Sequence, residues 1–282
     1  MTTTDTRSTL TKSEPVIAHA TGAGLVSASL QSAKRTVLQF FRTPQLLMLG
    51  TVQGALFLFM FRYIFGGAID PGHGLDYVDF LVPGFLVTGI LWVGMPASSG
   101  VAEDAAGGVH DRLRSLPIPR SSVLFGRSIA DTALTLWGML VAGVLAFIVG
   151  FRFDAGALDV VLALALLVIA AYCFAWVFIT IGLVSGNAQA ANGMATLLVI
   201  PVAFISAAYV PAQSLPGWLQ PVADHQPFTV FSNALRSLVL GGTDAVGLGH
   251  STAYWVGLSL LWCAGILLLF ATISIARFAR RR

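Results

Sequence analysis

Charge is scarce in this chain. Only 10% of its 282 residues are Asp, Glu, Lys or Arg, against about a quarter in ordinary soluble domains. With 56% of the residues apolar, too few polar ones remain to cover a body in water, so the surroundings of most of it must be lipid. Lysine is nearly absent. Lys12 and Lys34 are the two, and neither stands in a GxxxxGK[ST] phosphate loop, which excludes that mode of nucleotide binding. The two cysteines, Cys173 and Cys263, lie in apolar runs with no CxxC or histidine beside them, which excludes a metal or redox motif. His19, His73, His110, His225 and His250 are scattered, with no pair at ligand spacing and no HExxH. Ser98, Ser99 and Gly100 have no histidine in any apolar run to act as a base, which excludes an intramembrane serine protease.

Long apolar runs are what the chain has instead. Six lie at about 45–65, 79–101, 129–150, 158–184, 191–210 and 253–276. At 1.5 Å per residue each can cross a hydrocarbon core of about 30 Å. The expected fold class is an all-α integral membrane protein with six transmembrane helices. Residues 1–24 are polar and read as a disordered cytoplasmic tail. Residues 25–43 read as an amphipathic helix lying on the membrane surface. Val26, Leu30, Val37 and Phe40 share one face, and Lys34, Arg35 and Arg42 the other. The membrane domain then covers 25–276, with a basic cytoplasmic tail at 277–282.

Topology follows from the basic residues. Arg7, Lys12, Lys34, Arg35, Arg42, Arg112, Arg114, Arg120, Arg127, Arg277, Arg280, Arg281 and Arg282 fall on one side if there are six spans. Arg152 and Arg236 fall on the other. The positive-inside rule places both termini in the cytoplasm of a cell-membrane protein. The net charge of +3 is thereby a topology signal rather than a nucleic-acid footprint. Arg62 sits in the first run near the outer headgroups, within reach of Asp79.

The middles of the six runs carry no Asp, Glu, Lys, Arg or His, which predicts a body without buried ionisable groups. Ion-coupled transporters place such groups near the midplane, so free energy for uphill transport must enter from the cytoplasmic face. Between the fifth and sixth runs, Pro211, Pro216 and Pro221 interrupt a first apolar piece. Phe228, Phe231, Leu235, Leu238 and Val239 then mark a helix over 227–240, ended by Gly241 and Gly242. Both pieces are too short to span and too apolar for water, and read as a re-entrant outer helix pair.

The loop after the second run mixes both signs in Glu103, Asp104, Asp111, Arg112 and Arg114, ends at Pro117 and Pro119, and leads through Arg120, Arg127 and Asp131 into the third run. A short charged helix between two spans can act as a lever for a cytoplasmic partner. The run Asp104, Gly108, Arg112, Arg114, Ser115, Leu116, Pro117, Arg120, Gly126, Arg127, Ala130 and Asp131 resembles the cytoplasmic loop of type-2 ABC exporter permeases, closest to the daunorubicin-resistance group. His225 to Gly242, with Pro227 and Arg236, resembles that family's outer helix. The resemblance implies a permease subunit that moves a hydrophobic or amphipathic drug-like compound out of the cell. It implies a partner ATP-binding cassette ATPase holding ATP and Mg, and a second permease copy, identical or not. Glu103, Asp104, Asp111, Arg112 and Arg114 would couple to the ATPase, flanked by Lys34 and Arg35 of the interface helix. Export of lipids or lipid-linked glycans is the alternative within the family; a channel or secondary transporter is the alternative outside it. Gln53, Thr88, Trp92, Asn192 and Thr196 are candidate pathway residues, weighed against helix packing. Gly50 with Gly54, and Gly182 with Gly186, form GxxxG pairs that point to close helix contact.

Overall fold

The computed structural model describes Lys34 and residues 44–72, 74–107, 120–244 and 246–280. Every regular element among the described residues is helical. Lipid offers the backbone no hydrogen bonds, and a helix satisfies its N–H and C=O groups within one segment. Helix α1 (Pro44–Met60) passes into a π-helical stretch, Phe61–Phe65. Helices α2 (Tyr77–Gly94) and α3 (Pro96–Ala106) form a rod broken at Met95. Pro96 has no N–H to give to the preceding turn, and it fits the first turn of a new helix. Then come α4 (Arg120–Val149), α5 (Ala157–Val184) and α6 (Ala188–Ile205). A 3-10 turn, Ala212–Ser214, leads to the short α7 (Gln220–His225), the buried α8 (Pro227–Val239) and α9 (Thr252–Arg280).

Five helices among the described residues are long and apolar enough to cross a membrane: Tyr77–Ala106, Ser122–Val149, Ala157–Val184, Ala188–Ile205 and Thr252–Phe278. The first predicted run corresponds to a shorter apolar helix, Val52–Phe65. Boundaries move where the sequence placed the charged loop. The second run extends to Ala106 and the third begins at Arg120, so Glu103, Asp104, Arg127 and Asp131 are helical. The fifth run stops at Ile205 rather than 210. Beyond it the freed backbone is captured by side chains: Ala207 N–H donates to Thr229 Oγ1 at 2.9 Å. The helix expected over 227–240 is present and stops at Gly241 and Gly242, whose φ angles of +79° and +122° suit glycine. The expected interface helix over 25–43, apart from Lys34, lies outside the described residues, as do the tails at 1–24 and 281–282. Lys34 is helical and exposed.

Helices α5 and α8 hold the bundle together. Helix α5 packs on α3, α4 and α9, while α8 is wrapped by α2, α5 and α9. Every residue from Phe228 to Val239 is buried, and the Phe228 ring lies 4.8 Å from that of Phe174 on α5. The outer flanks are the reverse of a soluble protein's. Leu197 is 76% exposed, Leu158 72% and Leu268 69%, which is the surface a lipid solvent requires.

Two expectations are corrected here. The interior does hold ionisable side chains: Arg236 is 1% exposed and Asp131 4%. Asp131 is enclosed because α4 begins nine residues before the predicted span, and Arg236 because α8 packs with its polar side inward against α2. Arg62 makes no ion pair with Asp79 among the described residues. It sits half-buried in the π-helical stretch, and its Nε has no partner.

Among the described GxxxG glycines Gly54, Gly182 and Gly186, Gly182 makes the close contact. A Cβ there would lie 2.5 Å from the Ser98 carbonyl oxygen and 2.7 Å from Val101, so α5 and α3 touch through backbone. Gly54 and Gly186 have open space instead. Substituting Gly182 with valine should cost about 1–3 kcal/mol through overpacking, read as a lower melting temperature in detergent. The same change at Gly186 should leave the melting temperature in place.

Candidate functional site

Both ends of the charged loop are tied to one guanidinium. Arg127 stands in the second turn of α4, facing the last turns of α3. Its Nη1 donates to Asp104 Oδ2 at 2.9 Å, and its Nε reaches Asp131 Oδ1 and Oδ2 at 3.0 and 2.9 Å. Nη2 points at the Ala97 carbonyl, 3.4 Å away. Gly100 makes room for it, since a Cβ at that position would lie 2.6 Å from Nη2. The Asp131 side chain is 4% exposed, Arg127 17% and Asp104 34%, so the cluster runs from the interior to the loop-side surface. Asp131 is on the same helical face as Arg127 by its i,i+4 spacing, whereas Asp104 comes from 23 residues away. Two carboxylates around one cation leave the cluster with an excess negative charge facing the loop. Of the other loop residues singled out, Glu103 is exposed beside this cluster. Asp111, Arg112, Arg114 and, before the membrane, Arg35 lie outside the described residues.

At the opposite end of the bundle, Arg236 fastens α8. Its Nε donates to the Phe80 carbonyl at 2.9 Å, Nη2 to the Ala208 carbonyl at 2.9 Å, and Nη1 to Asn233 Oδ1 at 3.2 Å. The guanidinium carbon lies 3.6 Å from the Phe80 ring centroid, a cation–π distance. Burial pulls its pKa down to about 9, which leaves the group charged at neutral pH. One residue therefore joins α2, α8 and the non-helical stretch after α6. Pro227 opens α8 at its first turn, and His225 closes α7 with Nδ1 2.8 Å from the Pro221 carbonyl oxygen. The sequence marked the helix and its arginine but not the burial. The missed signal was that Asn233 and Arg236, three apart, lie in a helix whose other polar residues are only the hydroxyls Thr229, Ser232 and Ser237.

The five candidate pathway residues differ in burial and in partners. Thr88 is fully buried on α2, with its hydroxyl 2.9 Å from the Gly84 carbonyl oxygen and 2.7 Å from the Tyr209 hydroxyl. Tyr77 completes this network by donating to the Tyr209 carbonyl at 2.9 Å. Burial pushes the Tyr209 hydroxyl above its ordinary range, so it remains protonated. Trp92 is half-buried, with its ring 6.1 Å from that of Phe57 on α1. Gln53 and Asn192 are exposed. Thr196, half-buried, donates to the Asn192 carbonyl at 2.8 Å one turn back on α6. Helix α6 buries only a stripe of small residues, Ala191, Ala195, Val199 and Ala203, and turns Asn192 and Leu197 outward.

Comparison with known proteins gives the family. The family profile of the ABC-2 type transporters matches residues 29–240. The daunorubicin resistance ABC transporter permease protein DrrB1 of Streptomyces coeruleorubidus is 29% identical over 261 residues, 92% of this chain and 88% of that protein. The probable doxorubicin resistance ABC transporter permease protein DrrC of Mycobacterium tuberculosis is 26% identical over 248 residues, 86% of this chain and 84% of its own length. DrrB of the same organism is 25% identical over 255 residues, covering 86% of each. The chain belongs to the ABC-2 type transporter family, as a membrane permease subunit homologous to those of daunorubicin and doxorubicin resistance exporters.

Proposed function

We propose that this subunit forms the transmembrane half of an exporter for hydrophobic or amphipathic drug-like compounds, driven by a separate ATP-binding cassette subunit that holds ATP and Mg. Helix α1 with its π-helical continuation, 22 residues from 44 to 65, serves as the sixth crossing. Both termini and the 107–120 loop then face the cytoplasm of the cell membrane, with α7 and α8 as the re-entrant outer pair. Two permeases pair across the membrane, and the exposed faces that carry Gln53 and Asn192 meet near the pathway. The observation that supports this reading best is the Arg127 cluster. It binds the helix before the loop to the helix after it, so a pull on the loop by Glu103, Asp111, Arg112 or Arg114 moves α3 and α4 as one body.

The test is reconstitution with an ATP-binding cassette ATPase subunit that co-purifies with it. Export of an anthracycline-type compound, with hydrolysis stimulated by that compound, is the expected result. Reversing two loop charges, Arg112→Glu with Arg114→Glu, should reduce export at least about tenfold while the chain still inserts and folds. Each pair of like charges brought face to face across a protein interface costs on the order of a kcal/mol or more. Undiminished export from that variant would remove the loop from the coupling path.

A further inference from the structure

The molecule has a cavity of about 830 Å³ at the end away from the 107–120 loop, lined by residues of a single subunit. Its size is that of a small-molecule site. Arg236, Asn233 and Thr229 of α8 form its floor, all buried. Its side is α9, through Tyr254, Leu258, Leu261 and Trp262. Leu261 is 68% exposed and Trp262 37%, so the wall continues onto the flank that faces lipid. The cavity thus has one polar end and one apolar, laterally open end.

The polar end carries an uncompensated cation. Among the described residues no carboxylate lies within 4 Å of Arg236; its three partners are two carbonyls and an amide oxygen, all neutral. A guanidinium has five N–H donors, so two remain unused, and the Asn233 amide N–H groups have no protein acceptor among the described residues. Buried charges in proteins are ordinarily paired. Asp224, His225 and His250 also line the cavity, but all three are exposed at its rim, where water screens them. The Arg127 cluster is the internal contrast: there the protein supplies its own two carboxylates, Asp104 and Asp131.

We propose that this cavity is a binding site for an anionic amphiphile, with a carboxylate or phosphate head on Arg236 and Asn233 and an apolar portion along α9 toward the bilayer. The site lies inside one subunit and does not depend on where the export pathway runs.

The full-length chain in neutral detergent should bind short-chain phosphatidylglycerol saturably, followed by isothermal titration calorimetry. Affinity should exceed that for phosphatidylcholine of the same chains by at least about tenfold, the expected worth of one charge-assisted contact in a buried site. Inorganic phosphate alone should fail to compete, because it leaves the apolar limb empty. Leu258→Trp adds bulk to that limb at a residue that is not itself a partner of Arg236 and should weaken binding at least about tenfold. A melting scan without lipid shows that the variant is folded. Mass spectrometry of the chain extracted from its own membranes then tells the sources apart. A retained anionic phospholipid identifies the bilayer as source, and an empty cavity that fills with added fatty acid identifies a free amphiphile. Equal affinity for the anionic and zwitterionic lipids, or undiminished binding by folded Leu258→Trp, overturns the assignment.

Discussion

Replacing Arg127 with leucine should lower stability by about 3–5 kcal/mol and abolish export. That is the usual cost of removing one partner from a buried ion pair, because the other is left charged and unpaired. Here two carboxylates are left, one of them 4% exposed. The structure also predicts how to undo the loss. Adding Asp131→Leu and Asp104→Asn removes the stranded charges, and a well-packed apolar substitute for a buried pair is often neutral or better. The triple variant should therefore recover most of the melting temperature. Export should not recover with it, because the tie between α3 and α4 is gone, whereas ATP hydrolysis by the partner subunit should persist. Melting in detergent, hydrolysis and vesicle transport separate these outcomes. Recovery of transport together with stability would make the cluster a packing feature with no part in coupling.

That cluster also marks the limit of what could be read from residues alone. Arg127 and Asp131 are an i,i+4 pair and visible as such in the sequence, and the loop motif that contains them pointed to the family. The third member, Asp104, comes from across a loop, and nothing in local pattern says that α3 continues to Ala106 and α4 begins at Arg120. Apolar runs locate helices by hydropathy, yet helices in a membrane protein extend past the hydrocarbon wherever the backbone gains by it. The predicted boundaries were therefore good for Ala157–Val184, where Asp159 is the one charged residue, and poor where charged turns cap a span. The same reasoning explains Thr88. It was weighed as a pathway residue because it is polar in an apolar run, but its hydroxyl is consumed by Gly84 and Tyr209 inside the subunit. Hydroxyls on membrane helices commonly find such partners within the bundle. Asn192, polar and exposed on α6, remains free to meet another subunit or a substrate; which helix face turns outward is set by the small residues that bury the opposite stripe.

Arg236 should rank with Arg127 in the damage its loss causes, and its two simplest replacements should fall in an order that ordinary conservatism would not give. Leucine removes the charge and with it the cost of burying a cation that has no carboxylate. It also strips a donor from the carbonyls of Phe80 and Ala208, at about 1–3 kcal/mol for each one left unsatisfied, and gives up a desolvated cation–π contact worth about 2 kcal/mol. A net loss of about 2–4 kcal/mol follows. Lysine keeps the buried charge but not the planar fork. Its single ammonium cannot reach Phe80, Asn233 and Ala208 at once while lying over the ring, so most of the compensation goes and the full desolvation cost stays. Arg236→Lys should therefore melt below Arg236→Leu, and both below the parent chain, when all three are compared in one detergent. The local signature should match: loss of the fork frees the non-helical stretch after α6 from α2, so amide exchange should rise at Ala207 and Ala208 before it rises in α5. A lysine variant as stable as the parent would mean that charge alone fastens α8, and that the geometry of the three acceptors is incidental.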